Sequence, residues 1–456
     1  MTPAGLPMTC HFREGARPTR ARHVSRASST AHKFLIVFLA AGLLFEIGAF
    51  RLQLAGVDPS LPIPPGAASM IVQILTGSTI LAAGGLLLCS RRTSDMALGT
   101  WPIFLMPAMA FASMLWSPDP EFTLRKSIAL TGTALFGFLV ATVLNTRDAV
   151  RLLGVVLSLT ILLSVICVFL SPHYGVHNTA DQFELELVGD WRGVFSHRTA
   201  LGHVAGLTMA LLISSGSLVW SSTIIRYGII VLSAVCIIKA GSGGGFLTAA
   251  IVPWALLVTQ ALIRLKPARR RGTVLALLLV VILALMLSVP RLLPTLLSVL
   301  GKQPDLTGRI PLWDALLVLA QDHPLLGYGY AAGFVYEVQP RVLAQTGFGY
   351  AHCHNGYLEV LIAFGYFGLG ICLAGIIWLL TATGRLIVTP PPHLGPLSGF
   401  PFIVVLYTLS INCFESTLIS DSSYGVVLLA LAAGLATRAT IEVRDLHTLT
   451  ANFRRD

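Results

Sequence analysis

The sequence predicts an all-α integral membrane protein of about twelve transmembrane helices, and three observations carry that prediction. Of the 456 residues, 55% are apolar and only 11% charged, against roughly 25% charged in an average soluble domain. A soluble chain of this length would form two or three domains behind a charged surface, which 21 acids and 31 bases cannot supply. The apolar residues fall in blocks of 17 to 25 with charges confined to the gaps. Such blocks suit helices crossing a hydrocarbon core about 30 Å thick and exclude the alternating strands of a β-barrel.

Taken in order, the predicted spans lie near residues 34–50, 67–90, 97–116, 127–144, 152–170, 200–219, 224–240, 245–263, 273–289, 358–382, 397–413 and 424–440. The gaps alternate in charge. One set, with the two ends of the chain, holds 21 of the 31 bases, including Arg13 to Lys33, Arg91 and Arg92, Arg269 to Arg271, Arg438 and Arg444. The other set holds nine, and Lys239 falls inside a span. By the positive-inside rule both ends of this sequence are cytoplasmic. Residues 1–33 read as a basic cytoplasmic tail leading into an uncleaved first helix, because the apolar block that follows shows no small-residue cleavage pattern.

The outer face then carries the two substantial loops, 171–199 and 290–357, the second lying between predicted helices 9 and 10. Every inner loop is short, so chemistry with room to happen is outside. Neither a phosphate-binding P-loop nor a strand-borne GxGxxG is present. The GSGGG run at 241–245 lacks a following lysine and reads as a tight turn or close helix packing. The bases do not gather on a soluble face, which argues against nucleic acid as a partner. Cys353 is the one cysteine in a long polar loop, so no disulfide framework is expected.

The densest chemistry lies in the later loop. Ile310, Trp313, Leu316, Leu317 and Ala320 repeat at near-helical spacing, predicting a short helix along the membrane surface. Tyr328, Tyr330, Phe334 and Tyr336 are interfacial anchors or platforms for a sugar ring. Arg309 either snorkels to lipid headgroups or grips an anion. The outer gaps hold fourteen acids against nine bases, which makes an Arg there an unusual choice and favours the second reading. His352 and His354 flank Cys353 ahead of a predicted helix. They are a general base, helix caps, or two metal ligands. A metal lacks a close third ligand other than Glu359 or the thiol, and a neutral imidazole able to take a hydroxyl proton fits better. In the earlier loop Arg192, His197 and Arg198 either offset Glu184, Glu186 and Asp190 or bind an anion. Asp119-x-Glu121 and Glu184-x-Glu186 are a weak divalent-ion signal.

The motifs TGRIPLW, HPLLGYGY and HCHNGYLE, followed by GYFGLG, resemble the shared domain of the O-antigen ligase and polymerase family, and WRGVFSHRTALG resembles the segment upstream of it in polysaccharide polymerases. The resemblance spans about residues 190–420, between an N-terminal helical region, 34–189, and a last helix with tail, 421–456. It implies a GT-C-like fold and an active site on the periplasmic side of a bacterial inner membrane. It also implies transfer of a glycan from undecaprenyl diphosphate to an acceptor hydroxyl, with no metal and no cofactor. Arg309 is implied to hold the lipid diphosphate, His354 to activate the acceptor, and His352 to be the second histidine often found there. Arg192 and Arg198 match basic positions of the upstream segment, with Arg198-Thr199 in place of a Lys-Asn pair. Gly243 stands where relatives commonly carry a basic residue, and Lys239 is the nearest replacement. Trp313, Tyr328, Tyr330 and Asn355 complete the expected substrate-binding set.

The expected activity is therefore polymerisation of lipid-linked oligosaccharide repeats into exopolysaccharide or O-antigen by inverting transfer. Its partners would be the lipid-linked donor, the glycan acceptor and membrane lipids, with a chain-length regulator and a flippase as associated proteins. Two alternatives stand beside it: a ligase moving finished chains to lipid A core or protein, and a transporter of the lipid-linked sugar. The transporter reading calls for midplane ionisable groups and related halves. Only Glu46 and Lys239 lie plainly inside spans, and no internal repeat is evident.

Overall fold

The computed structural model describes residues 20–56, 70–90, 92–178, 187–299, 309–421 and 423–452. Glu184, Glu186 and the Thr307-Gly308 start of the TGRIPLW motif lie outside them. The fold is all-α, with one isolated antiparallel bridge, Val176 to Trp191, among the described residues. In chain order the helices are α1 (Arg20–Glu46), α2 (Arg51–Ala55), α3 (Met70–Cys89), α4 (Thr93–Thr100), α5 (Leu105–Ala112), α6 (Pro120–Val143), α7 (Thr146–Leu170), α8 (Pro172–Gly175), α9 (Arg198–Val219) and α10 (Thr223–Lys239). They continue as α11 (Gly243–Arg264), α12 (Ala268–Val299), α13 (Arg309–Leu319), α14 (Gln339–Thr346), α15 (Gly356–Val388), α16 (Phe400–Ile411) and α17 (Tyr424–Asn452).

Each of the twelve predicted spans coincides with helix, and eight of the described helical stretches are long and apolar enough to cross a membrane. The chain is a multi-pass membrane protein. The other four predicted spans fall on α1, α10, α12 and α16. Of these, α10 has 17 residues and α16 has 12, below the roughly 20 that a straight crossing needs. The predicted surface helix after Arg309 is α13.

The polar residues of the gaps end the helices rather than decorate them. Asp119 caps α6, Asn145 caps α7, Ser222 caps α10 and Ser242 caps α11, each side-chain oxygen accepting an otherwise unpaired amide. The GSGGG run is a packing device. A Cβ on Gly245 would collide with the backbone of Gly202, so α11 and α9 approach to backbone contact.

The feature that places the candidate site is a break in α15. Gly365 has φ 64° and ψ −167°, a conformation open to glycine and costly for other residues. The chain from Pro324 to Gly329 fills the break. The amides of Tyr328 and Gly329 donate to the carbonyls of Ile362 and Ala363 at 2.9 and 3.0 Å, and those of Tyr366 and Phe367 donate to Pro324 and Leu325 at 2.7 and 3.2 Å. The four backbone groups that the break would orphan inside a membrane span are thereby satisfied. HPLLGYGY and GYFGLG, read from sequence as two separate motifs, are the two halves of this clasp. Tyr330 extends it: its ring stacks on Phe364, with centroids 6.0 Å apart, and its hydroxyl donates to the Ile419 carbonyl at 2.6 Å. The loop from Asn412 to Asp421 is thus tied to the same end of the bundle, the loop face.

Candidate active site

The first half of α15 carries the site into position. Asn355 caps the helix, accepting from Tyr357 and Leu358 amides at 3.0 and 3.1 Å, and its own amide nitrogen donates to Ser416 Oγ at 3.2 Å. The Gly356 amide donates to the carbonyls of both Asn412 and Glu415. Trp313 of α13 donates its indole N–H to the Cys353 carbonyl at 3.1 Å. These bonds hold the HCHN turn between α13 and the 412–421 loop and force His354 to φ 49°, a left-handed conformation that is uncommon outside glycine and worth a functional reading.

Within that frame His352, His354 and Glu415 meet. Glu415 Oε1 lies 3.4 Å from His352 Nε2 and 3.8 Å from His354 Nδ1. The Glu415 side chain is 10% exposed, and neither its Oε2 nor His354 Nδ1 makes a hydrogen bond among the described residues. His352 Nδ1 accepts the His354 backbone amide at 3.2 Å. A neutral His352 must then carry its proton on Nε2, facing the carboxylate. Burial, with the neighbouring His352 next, pulls the His354 imidazole down to about 3 against the pull of Glu415. Burial opposes ionisation of Glu415 as well, but His352, His354, His203 and Arg309 overcome it and hold the carboxyl down to about 2. Glu415 is thus a carboxylate beside a neutral His354. Should His354 turn its Nδ1–H to Glu415, its Nε2 lone pair is left free to take a proton.

Arg309, the first residue of α13, lies close enough for its charge to act on His354, Glu415 and His203. His203 of α9 is buried and shares a 2.7 Å hydrogen bond with the Tyr424 hydroxyl. His197, the cap of α9, acts electrostatically on both His203 and His354 and so links the WRGVFSHRTALG segment to the cluster.

The other expected site residues divide by what they bind. Arg198 pairs with Asp190 at 2.6 Å and reaches the Gly241 carbonyl at 3.5 Å, two residues past the exposed Lys239. Arg192 is 2% exposed and donates to the carbonyls of Tyr174 and His173 at 2.9 and 3.0 Å, bracing α8. Tyr328 donates to the Leu319 carbonyl at 2.9 Å. With Tyr330, Trp313 and Asn355 it shapes the site through bonds inside the protein.

The metal reading gains a ligand that the sequence hid. His352, His354 and Glu415 place donor atoms within 4.8 Å of one another, so the third donor is neither Glu359 nor the thiol, but an acid 61 residues further along. Their protonation argues for a hydrogen-bonded pair instead. The Nε2 facing Glu415 bears the proton, and metal coordination through it would leave His352 with no proton on either nitrogen. Asp119 is occupied as a helix cap, and Glu121 pairs with Arg125 at 3.3 Å.

Glu415 and His203 are the functional candidates that sequence reasoning passed over. Glu415 was visible only as one of fourteen outer acids, and His203 only as the residue that follows the upstream segment.

Fold and site together define a multi-pass membrane protein with a histidine–carboxylate–arginine centre at one face. Residues 228–373 match a family model described as O-antigen ligase. The chain is also similar to the exopolysaccharide production protein ExoQ of Rhizobium meliloti (strain 1021), with 25% identity over 281 residues, covering 59% of this chain and 61% of that protein. The match therefore spans somewhat under two thirds of that relative's length. Both findings support the O-antigen ligase/polymerase family that the motifs resemble.

Proposed function

We propose that this protein is a glycosyltransferase that polymerises undecaprenyl-diphosphate-linked oligosaccharide repeats at the outer face of a bacterial inner membrane. The observation that carries this reading is the convergence of Arg309 with His352, His354 and Glu415 at the loop face. No nucleotide sugar is expected outside the cytoplasm, so the energy arrives in the donor. A diphosphate is already a good leaving group and needs cations, whereas a sugar hydroxyl is a poor nucleophile and needs a base.

In the proposed step the acceptor hydroxyl oxygen attacks the anomeric carbon of the donor. The carbon–oxygen bond to the diphosphate breaks, the leaving oxygen keeps the electron pair, and the hydroxyl proton passes to His354 Nε2. One displacement inverts the anomeric centre. Arg309 neutralises the charge growing on the diphosphate, with Arg198 and Lys239 as further cations on the same side. Glu415 holds His352 and His354 in register. An imidazole held near 3 is neutral but weakly basic. Diphosphate charge beside Arg309 would offset one of the cations that depress it, so His354 would gain basicity as the donor binds.

Two observations weigh on polymerase against ligase. The upstream WRGVFSHRTALG segment and the exopolysaccharide relative favour a polymerase, while the family description names a ligase. A deletion strain separates them. Complete loss of long chains indicates a polymerase, and long chains accumulating on undecaprenyl diphosphate indicate a ligase. Incubating purified protein with a synthetic undecaprenyl-diphosphate oligosaccharide and sizing the product tests the transfer itself. A chain-length regulator and a flippase remain the proposed protein partners.

A further inference from the structure

Phe348 lies in the short stretch between α14 and the HCHN histidines and is 61% exposed. Among the described residues it is the one exposed Phe, Tyr or Trp that no helix carries. An aromatic on a membrane-crossing helix meets lipid and needs no further account. The chain around Phe348 is braced, so the exposure is built in. Gly347, at φ 75°, ends α14 and turns the chain back. The Phe348 amide donates to Thr346 Oγ1 at 3.2 Å, and Gln339 Nε2 donates to the Tyr350 carbonyl at 2.9 Å. Tyr350 packs against the small core that Leu312 and Leu316 of α13 build with Val342 of α14.

A single exposed apolar side chain is ordinary on any surface. Phe348, however, begins a row of rings. Its centroid lies 6.4 Å from that of Tyr350, with the planes at 51°, and Tyr350 lies 6.3 Å from the His354 imidazole at 79°. His352 follows at 4.0 Å. Neither of the first two pairs is stacked flat, so the row does not use up its own faces. Residues 342–351 carry no charged side chain, which suits a ligand that is uncharged where it touches them. A sugar ring meets both conditions, since its axial C–H groups make an apolar face while its hydroxyls project from the rim. Tyr328 and Tyr330, expected as such platforms, are buried.

We propose that Tyr350 and Phe348 form the acceptor subsite, with the terminal sugar of the incoming glycan resting on Tyr350, its hydroxyl at His354, and the next sugar on Phe348. The row ends on the imidazole, the group that must meet the acceptor hydroxyl, whereas the donor is held through its diphosphate by Arg309. The proposal rests on the transferase reading for the direction of transfer. The aromatic row itself supplies the class of ligand.

Kinetics can separate the two substrates. An undecaprenyl-diphosphate oligosaccharide O-methylated at its non-reducing end can give a glycan but not receive one, and it is supplied at saturation with an unblocked acceptor at varied concentration. Phe348→Ala should raise KM for the acceptor about tenfold and leave kcat and the donor KM within about twofold. Phe348→Trp should restore the acceptor KM. Phe348→Leu should not, because leucine matches the apolar area without offering a ring face. A leucine that restores KM would mark Phe348 as a lipid anchor, and an equal rise in donor KM would take it off the acceptor path. Either result overturns the subsite.

A binding measurement keeps this apart from the transferase reading. The free repeat oligosaccharide, released from its carrier, is added to the detergent-solubilised protein, and saturation-transfer NMR reads contact at the sugar C–H protons. The contact should be present in the wild-type protein and lost in Phe348→Ala. That result without any turnover would sink the enzyme and keep the sugar platform. Turnover with no such contact would sink the platform and keep the enzyme.

Discussion

Two clusters built from the same three residue types lie at opposite faces of the bundle, and their bonding differs. Away from the loop face, Arg438 of α17 donates to Glu442 at 2.9 Å and to the carbonyls of Ala141, Thr142 and Leu144 at 3.3, 3.0 and 2.9 Å. Those carbonyls end α6, where unpaired acceptors and the helix dipole both favour a cation. Glu442 also takes His393 at 3.1 Å and Arg92 at 3.8 Å. At the loop face, His352 and His354 flank Glu415 within reach of the Arg309 charge, and among the described residues His354 is left-handed while its Nδ1 and Glu415 Oε2 are unbonded. One set of groups is spent on holding helices together. The other is held short of its best contacts, which is how groups that must meet a substrate are arranged.

Substitutions that sharpen this contrast can be ranked by effect. His354→Ala should abolish polymer, a loss on the order of 1000-fold in rate, with the protein still present in the membrane by immunoblot; chains of normal length in that strain would remove the base. Arg309→Lys keeps the charge but loses the planar fork, and transfer by purified protein should fall about 100-fold. Full activity there would make Arg309 a scaffold residue.

Glu415→Gln should lower kcat about tenfold, since the carboxylate that supports His354 basicity is gone. The pH dependence gives a second reading of the same centre. His354 is held below its ordinary value, so its neutral form persists as pH falls, and kcat/KM should stay level between about pH 8 and 5. An acid limb centred near the ordinary histidine value of about 6.5 would contradict a buried base in the unloaded enzyme.

At the opposite face the expected readout moves from rate to stability. Arg438→Ala strips several buried bonds and should lower the detergent-solubilised protein's stability by about 2 kcal/mol, seen as a lower Tm with turnover per folded molecule unchanged. His393→Ala, at a side chain 37% exposed, should cost under about 1 kcal/mol. A loss of turnover from either, without a change in Tm, would break the division between the two faces.

Much of this could be read along the chain. Positions of the eight long apolar helices followed from block length, and the helix that starts at Arg309 from spacing, because a hydrocarbon core imposes length and polarity on any segment that crosses it. His352, His354 and Arg309 stood out as polar groups near the membrane surface. The working role of Asn355 did not. A cap and a ligand look alike in sequence, and only the amides of Tyr357 and Leu358 tell them apart. Arg192 is similar, since its neighbours in sequence are acids, while its bonds go to carbonyls of the preceding turn.

By itself the sequence determined that this chain lives in a membrane and roughly where its long apolar helices lie. Those are local properties, set within one span by hydrophobicity and backbone satisfaction. Tertiary structure alone decided that HPLLGYGY fills the break at Gly365 and that Glu415 is the partner of the HCHN histidines. Each joins segments tens of residues or more apart, and no single-segment pattern encodes a contact whose geometry is fixed only when the helices pack.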